Sequence, residues 1–510
     1  NNFFLGSMLV DMYVKFGALV TARKVFDKVQ KRDVAVWNAL VGGYAEQGCC
    51  EEAFTCLFQM HDEGISPNAI TFVSILKVCG GAKWLLSGQQ IHIQIIGRGL
   101  ENDVFIRSTL IDMYAKCGLL LEAQNLFGSV LVHDIVVWNV LIMGYTENDH
   151  GEEALEVLEQ MQENGISADD VTYLCSLKAC GIIGSTSKGQ NKGQEIHVKI
   201  VKKGFDRDPL IGSTLVDMYI KCDSLLEAQE VFDKLPSQDV VSSTLLISGF
   251  NKLGESEGAL YCFEKTKKDG ILSNVVSLIC TLKACGNMGS TFTGSKIHGD
   301  IIRKGLEREA VIGNSLVSMY AKCGLLVEAQ NVFDNLPVRD IMSWNALLIG
   351  YGNVGESKSV FYIFNKLIGE YMKPCSITLL SLLNVCNHVG LLHDGLIYFE
   401  MIGNDYNLDI TIDHYACIAD LFARAGYKNI AIDIVENMPL HPDIAMWHML
   451  LSACWRVSDV ELGREVFGHV IELDEEDISS YVCMSNIYAD VAMQEEANKI
   501  KLFESIKSKH

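Results

Sequence analysis

Apolar residues recur at i, i+3 and i+4 through nearly the whole chain, in paired stretches such as Trp37 to Ala45 followed by Glu51 to Asp62. Gly, Asn or Asp separates the two members of a pair, where a tight helix-helix turn is expected. No alternating period-two stretch is long enough for a strand. The pattern therefore predicts an all-α chain of helix pairs.

The pairs repeat. LVDMYVKFG at 9–17 returns as LIDMYAKCG at 110–118, LVDMYIKCD at 215–223 and LVSMYAKCG at 316–324. Measured at Tyr13, Tyr114, Tyr219 and Tyr320, the intervals are 101, 105 and 101 residues, and each superperiod divides into units of 31, 35 and 35. The extra four residues fall between Gly184 and Gly193, where a longer loop is expected. At position twenty of the units stands Ala22, Ala53, Gly88, Ala123, Ala154, Gly193, Ala228, Ala259, Gly294, Ala329, Gly395, Ala431 or Gly463, with Val360 the departure. A small residue there lets two helices approach closely. A lone pair cannot bury its apolar faces, so neighbours stack and the stack curves into a superhelix with a long groove.

Composition agrees with an array. The 510 residues are 49% hydrophobic and hold only seven prolines, which leaves little room for linkers. No run of eighteen uncharged apolar residues occurs, so no membrane span is expected. Asn1 falls inside a repeat, so the start of the sequence says nothing about compartment. The seventeen cysteines include no CxxC pair; Cys79, Cys180, Cys285 and Cys386 share one phase of the repeat, and Cys117, Cys222 and Cys323 another. That regularity reads as packing thiols of a reducing compartment rather than metal or redox chemistry. His92, His197 and His298 stand where other units carry Phe26, Phe127, Phe232 and Phe333, and read as packing histidines.

The 31/35/35 alternation, the Trp-Asn pairs Trp37/Asn38, Trp138/Asn139 and Trp344/Asn345, and the DMYAKCG-like runs resemble the PLS subclass of plant pentatricopeptide repeat (PPR) proteins. The resemblance covers essentially the whole chain. It implies an α-solenoid superhelix of about fifteen helix-turn-helix repeats. S, P and L units follow in turn at 3–33, 34–68 and 69–103; 104–134, 135–169 and 170–208; 209–239, 240–274 and 275–309; 310–340, 341–375 and 376–411; and a last S unit at 412–443. Residues 444–477 resemble the family's E1 motif and 478–510 its E2 motif.

In such an array the first helix of each unit lines the groove, and its second, fifth, ninth and thirteenth residues share a face. Position two is apolar, as Phe4, Phe105, Val136, Leu210, Val241, Val311 and Met342, fit either to lie on a base or to pack on the next repeat. Position five and the last residue form polar pairs: Ser7/Asp33, Asn38/Asn68, Ser108/Asp134, Asn139/Asp169, Ser213/Asp239, Thr244/Asn274 and Asn314/Asp340. Such groups suit the edge of an unstacked RNA base, although each terminal Asp or Asn equally suits a helix N-cap. Asn345 is paired with Cys375, a departure from the family, while Leu380 and Ala416, the latter with Asp443, are not polar at position five. In L units position five is Val73, Leu174, Ile279 or Leu380, which spaces the array without reading it. Position thirteen of S units is Lys15, Lys116, Lys221, Lys322 or Arg424, either phosphate contacts or solvated cations.

The family's code, carried onto these pairs, implies the register G-C-n-G-U-n-G-A-n-U-Y-n-n, 5′ to 3′ along single-stranded RNA. A formal charge of −22 opposes RNA binding unless the acidity lies mainly on the outer surface. Proteins of this type serve C-to-U editing of organellar transcripts, in mitochondrion or chloroplast, and many end in a zinc cytidine deaminase domain. Here the one His-x-Glu is His61-Asp62-Glu63, inside a repeat helix, with no Cys-x-x-Cys to complete a zinc site. The expectation is therefore a non-enzyme with no cofactor or metal. It would work with a DYW-type cytidine deaminase supplied by a partner, docked through 444–510, or by a C-terminal extension. The alternatives are an RNA stability or splicing factor, and a peptide-binding scaffold of the tetratricopeptide kind, whose 34-residue period does not fit.

Overall fold

In a computed structural model, all residues are described except 1, 30–31, 130–133, 236–237, 272, 475–476 and 508–510, and the side chains of 2–5, 7, 428 and 501–507 also lie outside the described set. The described residues form thirty α-helices and no strand, α1 (Asn2–Lys15) through α30 (Gln494–Lys507). Fifteen helix pairs result, as the repeat requires, and the architecture is an α-solenoid. The chain divides into two compact units, residues 1–254 with 264–272 and residues 255–263 with 273–510.

Within each unit the odd-numbered helices pack directly on one another, as α5 (Ala69–Gly81) does on α7 (Val104–Lys116) and α17 (Val275–Met288) on α19 (Ala310–Lys322). Most even-numbered helices lean on the odd helices flanking them, as α10 (Gly151–Glu163) does on α9 (Ile135–Glu147) and α11 (Asp170–Ile183). The odd helices thus make the inner, closely packed layer, and they carry the candidate site.

The core is built from repeat positions. Trp37, Leu40, Val41 and Tyr44 of α3 (Val34–Glu46) are buried, and the same spacing buries Trp344, Leu347 and Leu348 in α21 (Ile341–Asn353). The P-unit tryptophans meet a phenylalanine from the preceding second helix edge to face: Phe26–Trp37 at 4.5 Å, Phe127–Trp138 at 4.6 Å and Phe333–Trp344 at 4.6 Å between centroids. Three of the position-twenty glycines make room for a methionine sulfur rather than backbone. A Cβ at Gly88, Gly193 or Gly294 would stand 2.5, 2.6 and 2.6 Å from the Sδ of Met113, Met218 and Met319.

Two expectations change in detail. The four residues added near Gly184 extend a helix instead of a loop: α12 (Ser187–Lys203) has 17 residues, started by the Thr186 hydroxyl accepting from the Gly189 amide. His92, His197 and His298 do more than pack. Their Nδ1 atoms lie 2.9, 2.8 and 2.9 Å from the hydroxyls of Tyr114, Tyr219 and Tyr320, tying each L unit to the next S unit, and burial holds the imidazoles below their ordinary pKa. In the inter-helix turn Gly17, Gly118 and Gly324 take positive φ, yet Asp223 occupies the same place at φ 57, a conformation Asp tolerates better than most residues.

The cysteines behave as packing residues. Burial pushes the thiols of Cys79, Cys180 and Cys386 up to about 12, leaving them unreactive at neutral pH.

Trp344→Ala is expected to lower stability by about 3–5 kcal/mol, the range for emptying a buried aromatic site. Because repeats contact only their neighbours, protection from hydrogen exchange should fall in 310–375 and persist in the first unit.

Candidate nucleic-acid interface

The N-terminal turns of the odd helices bring the sequence-derived positions to one surface. Phe105, Val136, Leu210, Val241, Val311 and Met342 are 53–76% exposed, so packing on the next repeat does not consume them. Phe4 and Ser7 lie outside the described side chains. The L units, passed over at this position in the sequence, continue the ladder with Ile70, Val171, Val276 and Ile377, all exposed.

Position five and the last residue come together wherever position five is Asn. Asn38, buried at 9%, donates from Nδ2 to Asn68 Oδ1 at 3.0 Å. Asn139 donates to Asp169 Oδ1 at 3.0 Å, and Asn314 to both oxygens of Asp340 at 3.0 Å. Asn345 donates to Cys375 Sγ at 3.2 Å. A third residue completes three of these pairs. The hydroxyls of Thr71, Thr172 and Thr378 donate to the Oδ1 of Asn38, Asn139 and Asn345 at 2.6, 2.7 and 2.7 Å. Sequence reading missed these threonines, although they stand at position three of each following L unit.

The last residues also cap. Asp33, Asn68, Asp134, Asp169, Asp239, Asn274 and Asp340 each accept from a backbone amide in the first turn of the next helix. Cap and pair are therefore the same side chain in two uses. In the S units with a hydroxyl the arrangement is looser. Ser108 and Ser213 donate to their own helix carbonyls, Phe105 O and Leu210 O, at 3.0 Å, while Asp134 and Asp239 remain exposed. Thr244 of the first unit donates to Val240 O at 2.6 Å; Asn274 belongs to the second unit.

Burial alone would raise the Asp169 pKa, but the Thr172 amide and hydroxyl and the Asn139 amide outweigh it and hold the carboxyl below its ordinary value. Burial likewise pushes the Cys375 thiol up, and hydrogen bonds from the Thr378 hydroxyl and amide and from Asn345 bring it below its usual range.

The position-thirteen cations are less available than their spacing suggests. Lys15, Lys116 and Lys221 each sit 2.8 Å from a carboxylate one turn earlier, Asp11, Asp112 and Asp217. Lys322, with Ser318 in that place, donates to the Asn287 amide oxygen at 2.9 Å. Arg424 and Arg456 share the buried Asp420 at 2.7 and 2.9 Å.

In the second unit these elements enclose a cleft of about 500 Å³ lined by Ile279, Val311, Asn314, Lys322, Asp340, Met342 and Asn345 among others. Asn314 Oδ1, at its wall, is buried without a partner. In 444–477 the same geometry recurs with other residues, since His448 Nε2 lies 2.6 Å from Asp477 Oδ2, and Asp477 caps the following helix. His61 closes an outer helix, α4 (Cys50–Asp62), and Glu63 pairs with Arg32. Among the described residues no group of three His, Cys, Asp or Glu side chains is placed to hold a metal ion.

The helix pairs thus present an exposed apolar residue from repeat to repeat and a polar pair wherever position five is Asn, a modular array. The PPR repeat family model matches residues 32–81 and 133–181, the PPR repeat model matches 105–135, 241–271, 314–341 and 342–371, and the E motif model matches 457–509. The chain is 32% identical to the mitochondrial pentatricopeptide repeat-containing protein At1g06140 of Arabidopsis thaliana, covering 98% of this chain and 89% of that one. It is 35% identical to At3g16610 of the same plant, over 97% and 76%. With the chloroplastic At1g11290 identity is 32%, over 97% of this chain and 61% of the relative, and of At4g33170 the chain spans 49%. The fold is similar to that of maize PPR10, with a TM-score of 0.57 at 16% identity over 99% of this chain and 79% of that one. For PPR10 in complex with an 18-nt psaJ RNA element the TM-score is 0.61 at 15% identity, over 99% and 85%. This chain belongs to the pentatricopeptide repeat family.

Asp169→Ala is expected to destabilise by about 1 kcal/mol at neutral pH through loss of the cap, whereas Asp169→Asn keeps it. Because the folded pKa lies below the ordinary 3.8, the ionised carboxyl stabilises the fold above that value and the contribution fades as pH falls through the folded pKa. Denaturant titrations from pH 6 to 3 should show this fading in the parent protein and not in Asp169→Asn.

Proposed function

We propose that the protein binds single-stranded RNA in a sequence-specific manner, reading about one base per repeat, and that it marks cytidines for C-to-U editing in organellar transcripts. One observation carries the reading of bases. Asn38, Asn139 and Asn345 sit in one network with the same threonine, and only the partner changes, from Asn68 to Asp169 to Cys375. The chemistry of that partner is what a base edge would sense. The Asp169 carboxylate accepts, which suits the N3 hydrogen of uracil. The Asn68 amide also donates, which suits the bare N3 of cytosine. The neighbouring position-two side chains, such as Val136 and Val171, lie open to the base face.

On this reading the register is G-C-n-G-U-n-G-A-n-U-Y-n-n, with the Ser/Asp pairs at G and Thr244/Asn274 at A. The editing assignment rests on the E motif match over 457–509 and on the PLS-like alternation of units. The deaminase then comes from another domain or a partner engaged through 444–510. An organelle, mitochondrion or chloroplast, is supported by the names of relatives such as At1g06140 and At1g11290.

Fluorescence anisotropy with an RNA of about 16 nucleotides in this register, a shuffled RNA and the matching DNA tests the proposal. Preference for the register RNA is expected, and equal affinity for all three would overturn the reading. Asp169→Asn should move the preference of its repeat from U to C, and Thr244→Asn should move its repeat from A to C, leaving neighbouring repeats unchanged. Loss of conversion at a cytidine next to the register in plants lacking the protein would separate editing from a role in stability or splicing, which leaves every site converted.

A further inference from the structure

The S-unit lysines lie over glycines of the preceding L units. A Cβ at Gly80, Gly181 or Gly286 would come within 3.3, 3.0 and 3.2 Å of the Cδ of Lys116, Lys221 and Lys322. Lys116 and Lys221 are held there by Asp112 and Asp217. Each pair sums to zero charge, and a phosphate arriving beside it meets a carboxylate as well as an ammonium group. The sites that spacing marks for phosphate are therefore largely neutral.

Another set of cations shares the same face. Position nine of three L units is lysine, Lys77, Lys178 and Lys283, and all three are exposed. None forms an ion pair with a described residue. Each stands one turn, about 6 Å, beyond an apolar position five, Val73, Leu174 or Ile279, and two turns beyond the exposed Ile70, Val171 or Val276. In the second unit Lys283 joins Lys322 on the wall of the cleft, where Asp340 is the only carboxylate and accepts from Asn314.

We propose that Lys77, Lys178 and Lys283 are the backbone-binding cations of this protein, so that the L units, which lack a polar pair to read a base, grip the phosphodiester of a single strand. The inference rests on the RNA-binding reading above. An L unit then offers an apolar surface to any base and a free ammonium group to the adjoining phosphate, which contributes affinity without sequence preference.

The test is the salt dependence of binding to the register RNA. Each phosphate contact contributes a slope of about 0.7 in log K against log salt for single strands. The variant K77Q/K178Q/K283Q should therefore flatten the slope by about 2 and weaken binding, while its preference for register over shuffled RNA persists. K15Q/K116Q/K221Q should leave the slope nearly unchanged, and D112N/D217N, by releasing Lys116 and Lys221, should steepen it. All the substitutions replace exposed or half-exposed side chains, and circular dichroism verifies the fold. An unchanged slope in the L-unit variant, or flattening in the S-unit variant instead, would overturn the proposal. Failure of the parent protein to prefer register over shuffled RNA would sink the base-reading proposal separately.

Discussion

The structure depends on a buried amide that must find partners. A polar group taken from water without hydrogen bonds is heavily penalised, and Asn38, Asn139 and Asn345 are each less than 10% exposed. Their oxygens are satisfied by a threonine in the next unit and their nitrogens by the residue that caps that unit's first helix. One small network therefore fixes the register of two successive repeats and sets a polar edge at the mouth of the groove. On the proposed reading stability and recognition share these atoms, and across the three networks the Asn and the threonine stay while the partner changes.

The repeat made the fold legible. Tyr13, Tyr114, Tyr219 and Tyr320 set the period, and apolar spacing placed the helices of 34–68 to within three residues, at Trp37 to Ala45 and Glu51 to Asp62. The polar pairs were legible too, because a residue at position five and one closing the unit recur at fixed separation. What escaped was everything set by side-chain reach between units. Nothing in the sequence says that Lys116 turns back to Asp112, since one turn of helix also permits it to extend outward. The Thr172 hydroxyl looked like an ordinary first-turn residue until the following helix was set against Asn139. The Gly184–Gly193 stretch misled for a local reason: its glycines and serines have turn composition, but a Thr186 cap and an approach of Gly189 to the Gly184 carbonyl, too close for a Cβ, start a helix there.

The net charge of −22 also acquires a geography. Acidic residues open many of the outer helices, among them Glu51 and Glu52, Glu152 and Glu153, and Glu227, where they complement the helix N-terminus. Lysines of the next outer helix neutralise some of this charge, as Lys188 does for Glu152 and Lys192 for Glu159 further along the same helix. On the inner helices Asp112 and Asp217 are bound to lysines and Asp420 to two arginines, while Glu46 and Glu147 at the ends of α3 and α9 are exposed. An acidic chain can thus carry much of its negative charge on the outer helices, and keep Lys77, Lys178 and Lys283 unpaired on the inner ones.

The terminal Asp of a unit shows why residue type alone does not assign a role. Asp103 and Asp208 close L units and accept from two amides of the following helix, Phe105 and Ile106 in one case and Leu210 and Ile211 in the other. Asp169 closes a P unit and also caps, but it receives the Asn139 amide in addition. The difference lies at position five, thirty residues or so upstream. Val73 and Leu174 have nothing to donate, so the carboxylate after them serves the helix alone. Asn139 does, so the carboxylate after it is drawn into the groove network and held ionised. A cap and the base-reading role proposed above do not compete at such an Asp; the second would be the first with an amide added.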